Sequence, residues 1–146
     1  MSAARAVLVP FLLTRALVAA VALAATTLVP PSAICRNACD ASSIAILNVA
    51  ARWDGDPYLT IAREGYSADN VSLVAYFPLY PSLMRLGGAL FGSDDAFLAA
   101  GVVISNLALF AALVYLARSV MLDHDAKTAT RAAVYLLVFP TTVFLS

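Results

Sequence analysis

Long apolar runs dominate the chain, and short polar clusters separate them. One run covers residues 7–29 and contains a single charged residue, Arg15. A second run, residues 96–117, contains no charged residue. A third begins at residue 132 and continues to the last residues. Because a helix needs about 20 predominantly apolar residues to cross a bilayer, the pattern predicts three transmembrane helices, at 7–29, 96–117 and 132–146.

The first apolar run admits a second interpretation. Arg5, the apolar stretch and the small residues at 22–24 are also typical of a cleavable signal peptide. Arg15 favours an uncleaved helix, because it would leave a signal peptide with only a short apolar core. Within a membrane-spanning helix, an arginine either reaches the interface or a neighbouring helix, or it serves a function. The sequence leaves both roles of Arg15 open.

The distribution of basic residues predicts the orientation. The short connection at 118–131 contains Arg118, Lys127 and Arg131. Short loops rich in Lys and Arg stay in the cytoplasm, so this loop and the N-terminus are predicted to be cytoplasmic. Residues 30–95 then form an external loop. The chain is expected in the cell membrane, or in the endoplasmic reticulum membrane of a eukaryote, as a multi-pass protein.

The external loop is too long for a structureless connector and contains signals for short helices. The first predicted helix covers residues 44–51, after the serine pair Ser42-Ser43. The second begins at Pro57 and continues over residues 58–64. Asp56-Pro57 marks its start, with the aspartate as N-cap and the proline at the first helical position, and Gly65 marks its end.

A third short helix is predicted at residues 81–91. At eleven residues it cannot span a bilayer, so we expect it to lie in the interface or to re-enter the membrane. One face combines Tyr80, Leu83, Met84, Gly87, Leu90 and Phe91, and another carries Ser82 and Arg85. Such membrane-parallel helices would either form a floor on which a lipid-linked substrate docks or merely seal the bundle.

Composition agrees with a membrane protein and excludes several other classes. Apolar residues make up 62% of the chain and charged residues 12%, against about 25% charged in soluble domains. Nine basic and nine acidic residues leave no net charge, so no nucleic-acid partner is expected. One His and two Cys are too few for most metal sites. Cys35 and Cys39 could pair in an oxidising compartment or remain thiols.

The densest polar cluster lies at residues 52–58. Its two carboxylates, Asp54 and Asp56, could act as a general base, a cation ligand or a helix cap. Asp56 has a structural role as the predicted N-cap, whereas Asp54 has none. It follows a helix and precedes Gly55, whose backbone freedom would let the carboxylate point into a cavity. Asp54 is therefore the preferred candidate for a catalytic carboxylate, although carboxylates in loops are commonly only solvated.

A set of motifs along the chain resembles the PIG-V family, which contains the second mannosyltransferase of GPI-anchor synthesis and bacterial membrane relatives. The family belongs to the GT-C class of polytopic glycosyltransferases. In chain order the matching residues are Arg52-Trp53-Asp54, Tyr58-Leu59, Ile61-Ala62, Gly65-Tyr66, Tyr76-Phe77-Pro78-Leu79-Tyr80-Pro81, Ser105-Asn106, Phe139-Pro140-Thr141 and Phe144-Leu145-Ser146.

The resemblance implies an all-α, GT-C-like polytopic membrane bundle and an inverting sugar transfer on the external face. Its partners would be the lipid bilayer, a polyprenyl-phosphate-linked sugar donor and a glycolipid or glycan acceptor. Asp54 matches the catalytic base. No cofactor or metal is expected. The substrate-binding candidates are Arg52 and Arg85 for the donor phosphate, Tyr76, Phe77 and Tyr80 for the lipid-sugar groove, and Trp53 and Asp56 beside the base.

The chain also departs from the family, whose members have many more spans than three. We therefore expect an N-terminal part of a larger bundle, with little activity as a 146-residue chain. The main alternative is a non-catalytic multispan subunit or scaffold. A transporter fragment is a third hypothesis, motivated by Arg15 and Asn106 inside spans. The enzymatic interpretation requires Asp54 to lie beside a hollow rather than to face bulk solvent.

Overall fold

The fold is all-helical, as the apolar pattern predicts. A computed structural model describes residues 2–28, 41–51, 54–67 and 71–139, and within these ranges the regular elements are helices, with no strand. In chain order they are α1 (Ala3–Leu28), α2 (Ala45–Ala50), α3 (Gly55–Glu64), a 3₁₀ helix (Val71–Ala75), α4 (Leu79–Ala89), α5 (Asp94–Asp123) and α6 (Ala126–Val138).

Among the described residues, two helices are long and apolar enough to cross a membrane. They are α1, at 26 residues, and α5, over the 29 residues Asp95–Asp123. In the most apolar part of each helix, 11% and 22% of the residues are buried within the described chain. The core helix of a soluble protein would be mostly buried, so the exposed apolar surface favours a lipid environment.

The third apolar run coincides only partly with a described helix. Helix α6 begins at Ala126, six residues before the predicted span, and is described to Val138. Residues 140–146 of that span lie outside the described part of the chain. The predicted connection at 118–131 is mostly helical, because α5 continues to Asp123 and α6 follows after two residues. The ends of an apolar run mark the part of a helix that can lie in the membrane. The helix itself can continue beyond that part until a cap or turn ends it.

Contacts divide the chain into two compact units, of which one comprises Met1–Val21 and Ser105–Ser146. Its core contains Val7 of α1, Leu113 and Ala117 of α5, and Ala129 and Ala133 of α6, each fully buried. The two alanines of α6 are four residues apart and so lie on one face. Small residues on such a face let helix backbones approach closely, as at the interfaces of membrane helices.

The second unit, Ala22–Ile104, contains α2, α3, α4 and the first turns of α5. Its core is formed by Leu47, Ala51, Leu59 and Leu98. Helix α3 packs on α4. Each of the three short helices predicted for the external loop is present, but their bounds and faces differ in ways that matter for the site.

The start of α2 is organised by a turn rather than by a simple cap. Helix α2 covers Ala45–Ala50, and its N-cap residue Ile44 has no capping side chain. The Ser42 hydroxyl instead accepts a hydrogen bond from the Ile44 N–H at 2.9 Å. The Ser42 N–H donates to Oδ1 of Asn48, also at 2.9 Å. Ser42 thus orders the entry to the helix from outside its first turn.

Helix α3 starts two residues before the prediction, and the predicted N-cap is wrong. The helix begins at Gly55, so Asp56 lies in its first turn and Asp54 occupies the N-cap position. The predicted end at Gly65 is confirmed. Gly65 has φ +83°, and its N–H donates to the Ile61 carbonyl at 2.9 Å. Glycine adopts this left-handed conformation without the steric cost of a Cβ atom.

Helix α4 begins at Leu79, and the apolar face named from the sequence divides between packed and exposed residues. Met84 is buried, but Leu83, Leu90 and Phe91 are exposed. The packed residues include Met84 and two glycines, Gly87 and Gly88, that lie close to the first turns of α5. A Cβ atom on Gly87 would lie 2.7 Å from Cβ of Ala100, and one on Gly88 would collide with the ring of Phe97.

Candidate functional site

The junction of α2 and α3 positions Asp54. The two helices approach so closely that a Cβ atom on Gly55 would collide with the carbonyl oxygen of Ala50. Gly55 does not have a positive φ, so this glycine is required by close packing and not by backbone freedom. Arg52 and Trp53, two of the predicted site residues, lie outside the described residues.

The Asp54 carboxylate is directed to a tyrosine and not to its own helix. An aspartate at the N-cap position usually accepts a hydrogen bond from the N–H groups of the first turn. Asp54 makes no such bond. Its side chain is instead hydrogen-bonded to Tyr76, just after the 3₁₀ helix. The contact thus joins two segments that are 22 residues apart in the sequence.

The electrostatics of this pair fix the direction of the hydrogen bond. Partial desolvation raises the pKa of Tyr76 above its usual value. The negative charge of Asp54 and the hydrogen bond to it raise that pKa further. At neutral pH the Tyr76 phenol is therefore protonated and donates, and the carboxylate accepts.

Tyr58 extends the pair into an aromatic cluster. Its ring centroid lies 5.1 Å from that of Tyr76 and 5.0 Å from that of Tyr80. Both contacts are edge-to-face, at interplanar angles of 83° and 84°. Edge-to-face packing of this kind is a favourable arrangement of aromatic rings. Tyr58 thus connects two tyrosines that the sequence had named as site residues.

Tyr58 was not among the predicted site residues, although the sequence carried a signal for it. It follows Asp54 by four residues, and residues at this spacing lie on the same face of a helix. Because α3 starts at Gly55, with Asp54 as its N-cap, Asp54 and Tyr58 lie about one helical turn apart. The misplaced N-cap concealed this relation.

Two further contacts hold Tyr76 and Tyr80 in place. The Tyr66 hydroxyl donates a hydrogen bond to the carbonyl oxygen of Tyr76 at 2.6 Å, which fixes the backbone after the 3₁₀ helix. Tyr80 lies on α4 facing α5, where a Cβ atom on Gly101 would be 2.9 Å from its hydroxyl oxygen. The cluster is therefore supported by three elements: α3, the 3₁₀ segment and α4.

The remaining predicted residues do not join this cluster. Phe77 is 79% exposed. Asp56 lies in the first turn of α3, where an acidic side chain interacts favourably with the helix dipole. Arg85 lies beside Gly65, since a Cβ atom there would be 3.8 Å from a guanidinium nitrogen. That position is at the opposite end of α3 from Asp54, about 15 Å along the helix.

The described residues build one wall of a site and not a closed cavity. Asp54 is exposed, with the tyrosine cluster on one side, so the described residues do not supply the hollow that the enzymatic interpretation requires beside this carboxylate. This wall offers a carboxylate that can accept a proton, a neutral hydroxyl donor and aromatic surface. Among the described residues, no three His, Cys, Asp or Glu side chains lie close enough to hold a metal ion.

Comparison with known proteins gives no relative from which a function could be transferred. No protein-family model, no curated protein and no solved structure matches the chain. Any functional assignment therefore depends on the motifs in the sequence and on the geometry around Asp54.

Proposed function

We propose that the chain is part of an integral-membrane glycosyltransferase in which Asp54 is the general base. The enzyme transfers a sugar, in our proposal mannose, from a polyprenyl-phosphate-linked donor to a glycan or glycolipid acceptor. The observation that carries the proposal is the interaction made by the side chain of Asp54. This residue stands at an N-cap position but is hydrogen-bonded to Tyr76 instead of to the helix.

The chemistry follows from the properties of this carboxylate. The acceptor hydroxyl attacks the anomeric carbon of the donor from the face opposite the phosphate. Its proton passes to Asp54, the bond between the anomeric carbon and the phosphate oxygen breaks, and the polyprenyl phosphate leaves with the electron pair. The anomeric configuration is inverted. A carboxylate has about four lone-pair sites, so the bond from Tyr76 leaves capacity for this proton.

The surrounding residues support this role. Tyr76, whose raised pKa keeps it protonated, orients the carboxylate without competing for the proton. Tyr58 and Tyr80 add an aromatic surface on which a sugar ring can pack. Helices α1 and α5 present long apolar surfaces along which the polyprenyl chain of the donor can lie. In this proposal the chain has three spans in a GT-C-like bundle, with the N-terminus in the cytoplasm and Asp54 on the external face.

The test is a transfer assay on the protein expressed from its complete coding frame in membrane vesicles. The donor is radiolabelled polyprenyl phosphomannose, and the product is lipid- or glycan-linked mannose. Asp54→Asn should lower the rate by about 10²–10⁴-fold, the contribution of a general base. The matched control is Asp123→Asn, an exposed aspartate at the end of α5, which should keep the rate of the native protein.

Two outcomes would contradict the proposal. Transfer that persists in Asp54→Asn would show that this carboxylate is not the base. A native protein that transfers no sugar from any polyprenyl-phosphate donor would instead favour the non-catalytic subunit or scaffold.

A further inference from the structure

Helix α4 carries a second apolar face that the described residues leave largely exposed. Four leucines are spaced along it at intervals of four, three and four residues, which places them on one side of the helix. We name them the α4 leucine stripe: Leu79, Leu83, Leu86 and Leu90. Three of them are at least 65% exposed. Phe77 and Phe91, at the two ends of the stripe, are also exposed.

A different face of α4 is already occupied by α5. Met84 lies against Gly101, where a Cβ atom would be 3.2 Å from its methyl carbon. One turn further along α4, Gly88 lies against Phe97. These contacts bury the glycine face and turn the leucine stripe outward.

The position of this contact along α5 indicates the depth at which α4 would lie in a membrane. Phe97 and Gly101 lie in the first turns of the uncharged run at 96–117. If that run crosses the bilayer, its beginning lies at the boundary between headgroups and acyl chains. Helix α4 is packed on this boundary region, and exposed apolar surface continues onto α5 at Val103.

Charge along α4 fits the same environment. Arg85 is the only charged residue of the helix, and it is exposed on the face that also carries Ser82. Apolar residues on one face with a basic residue on another are typical of helices that lie in the membrane interface. A guanidinium there can reach anionic headgroup phosphates while the leucines enter the acyl region.

We infer that the α4 leucine stripe is a membrane-docking surface, embedded in the headgroup–acyl boundary of the leaflet in which α5 begins. The partner is the lipid bilayer itself. The proposal depends on α5 spanning the membrane and not on any catalytic role of Asp54.

The test measures the environment of single nitroxide labels in the full protein. Cys35 and Cys39 are first replaced by serine, and the protein is reconstituted in vesicles of phosphatidylcholine and phosphatidylglycerol. Labels are attached at Leu86→Cys and Leu90→Cys on the stripe, and at Arg85→Cys as the matched control on the polar face. Collision rates are then measured with oxygen, which concentrates in lipid, and with a water-soluble nickel chelate.

We expect the two stripe labels to collide more with oxygen than with nickel, and the label at position 85 to show the reverse. These positions are exposed, so the labels should not disturb folding, and circular dichroism checks the helix content. Stripe labels that collide with nickel as strongly as the control would place the stripe in water. Labels shielded from both reagents would show that protein covers it. Either result overturns the proposal, whatever the result of the transfer assay.

Discussion

The contact between Gly88 and Phe97 gives the sharpest test of how α4 is held in place. A Cβ atom on Gly88 would collide with the edge of the Phe97 ring and would lie 2.7 Å from Cγ and 2.9 Å from Cα of that residue. The ring can rotate away, but Cα belongs to the backbone of α5. Gly88→Ala therefore requires the two helices to separate.

Two effects of opposite sign decide the result. Alanine stabilises a helix interior by about 0.8–1.0 kcal/mol relative to glycine. Overpacking of a tight contact costs about 1–3 kcal/mol. The clash involves backbone as well as side chain, so we place it in the upper half of that range and expect a net loss of about 1–2 kcal/mol in the docking of α4. This corresponds to a rise of about 5–30-fold in the population of the undocked helix.

The assay is amide hydrogen exchange of α4 in mild detergent, read by mass spectrometry. Gly88→Ala should speed the exchange of α4 amides. Ser82→Ala is the matched control, because Ser82 is exposed on the same helix and only the gain in helix propensity applies there. It should leave exchange unchanged or slow it slightly. If Gly88→Ala slows exchange like the control, α4 does not pack on α5 through this glycine.

Two further predictions concern the other unit. Leu113→Ala removes a fully buried side chain from its core. In lipid it should cost roughly 0.3–2.6 kcal/mol, which is the 2.7–5.0 kcal/mol of soluble cores less about 2.4 kcal/mol for transferring three carbons from water. Leu107→Ala, at a 63% exposed position, should cost almost nothing, and equal losses in thermal unfolding would contradict the packing. Separately, hydrogen bonds from the Thr128 side chain and backbone N–H lower the pKa of Asp125. The stabilisation that the Asp125 carboxylate gives to α6 is fully present above the ordinary aspartate pKa of about 3.9. It is lost as the pH falls through the lower pKa that Asp125 has in the folded protein. Asp125→Asn should keep the cap at neutral pH but remove this part of the acid sensitivity, measured by circular dichroism between pH 2 and 7.

Much of the helical architecture could be predicted from the sequence, because its determinants are local. The uncharged run at 96–117 lies within α5, and the run at 7–29 coincides with α1 to within a few residues. The end of α3 followed from Gly65, whose positive φ is a property of that residue type. Asp54, Tyr76 and Tyr80 could also be named, because they stand in recognisable motifs. Composition and spacing are sufficient for such features.

Tertiary structure decided how these residues meet. The N-cap residue of α3 is Asp54 and not Asp56, and Gly55, at the first helical position, packs closely against the end of α2. The bond between Asp54 and Tyr76 crosses 22 residues, and local propensity carries no information about such a pair.

The faces of α4 could not be assigned from the sequence for a different reason. Lipid and protein both accept leucine, so the apolar pattern did not show which side of the helix packs inward. The glycines of α4 and α5 determine which side of α4 packs inward, because the absence of side chains there lets the two backbones approach closely. The leucines were thereby directed outward, and Tyr80 inward toward Tyr58 and the wall beside Asp54.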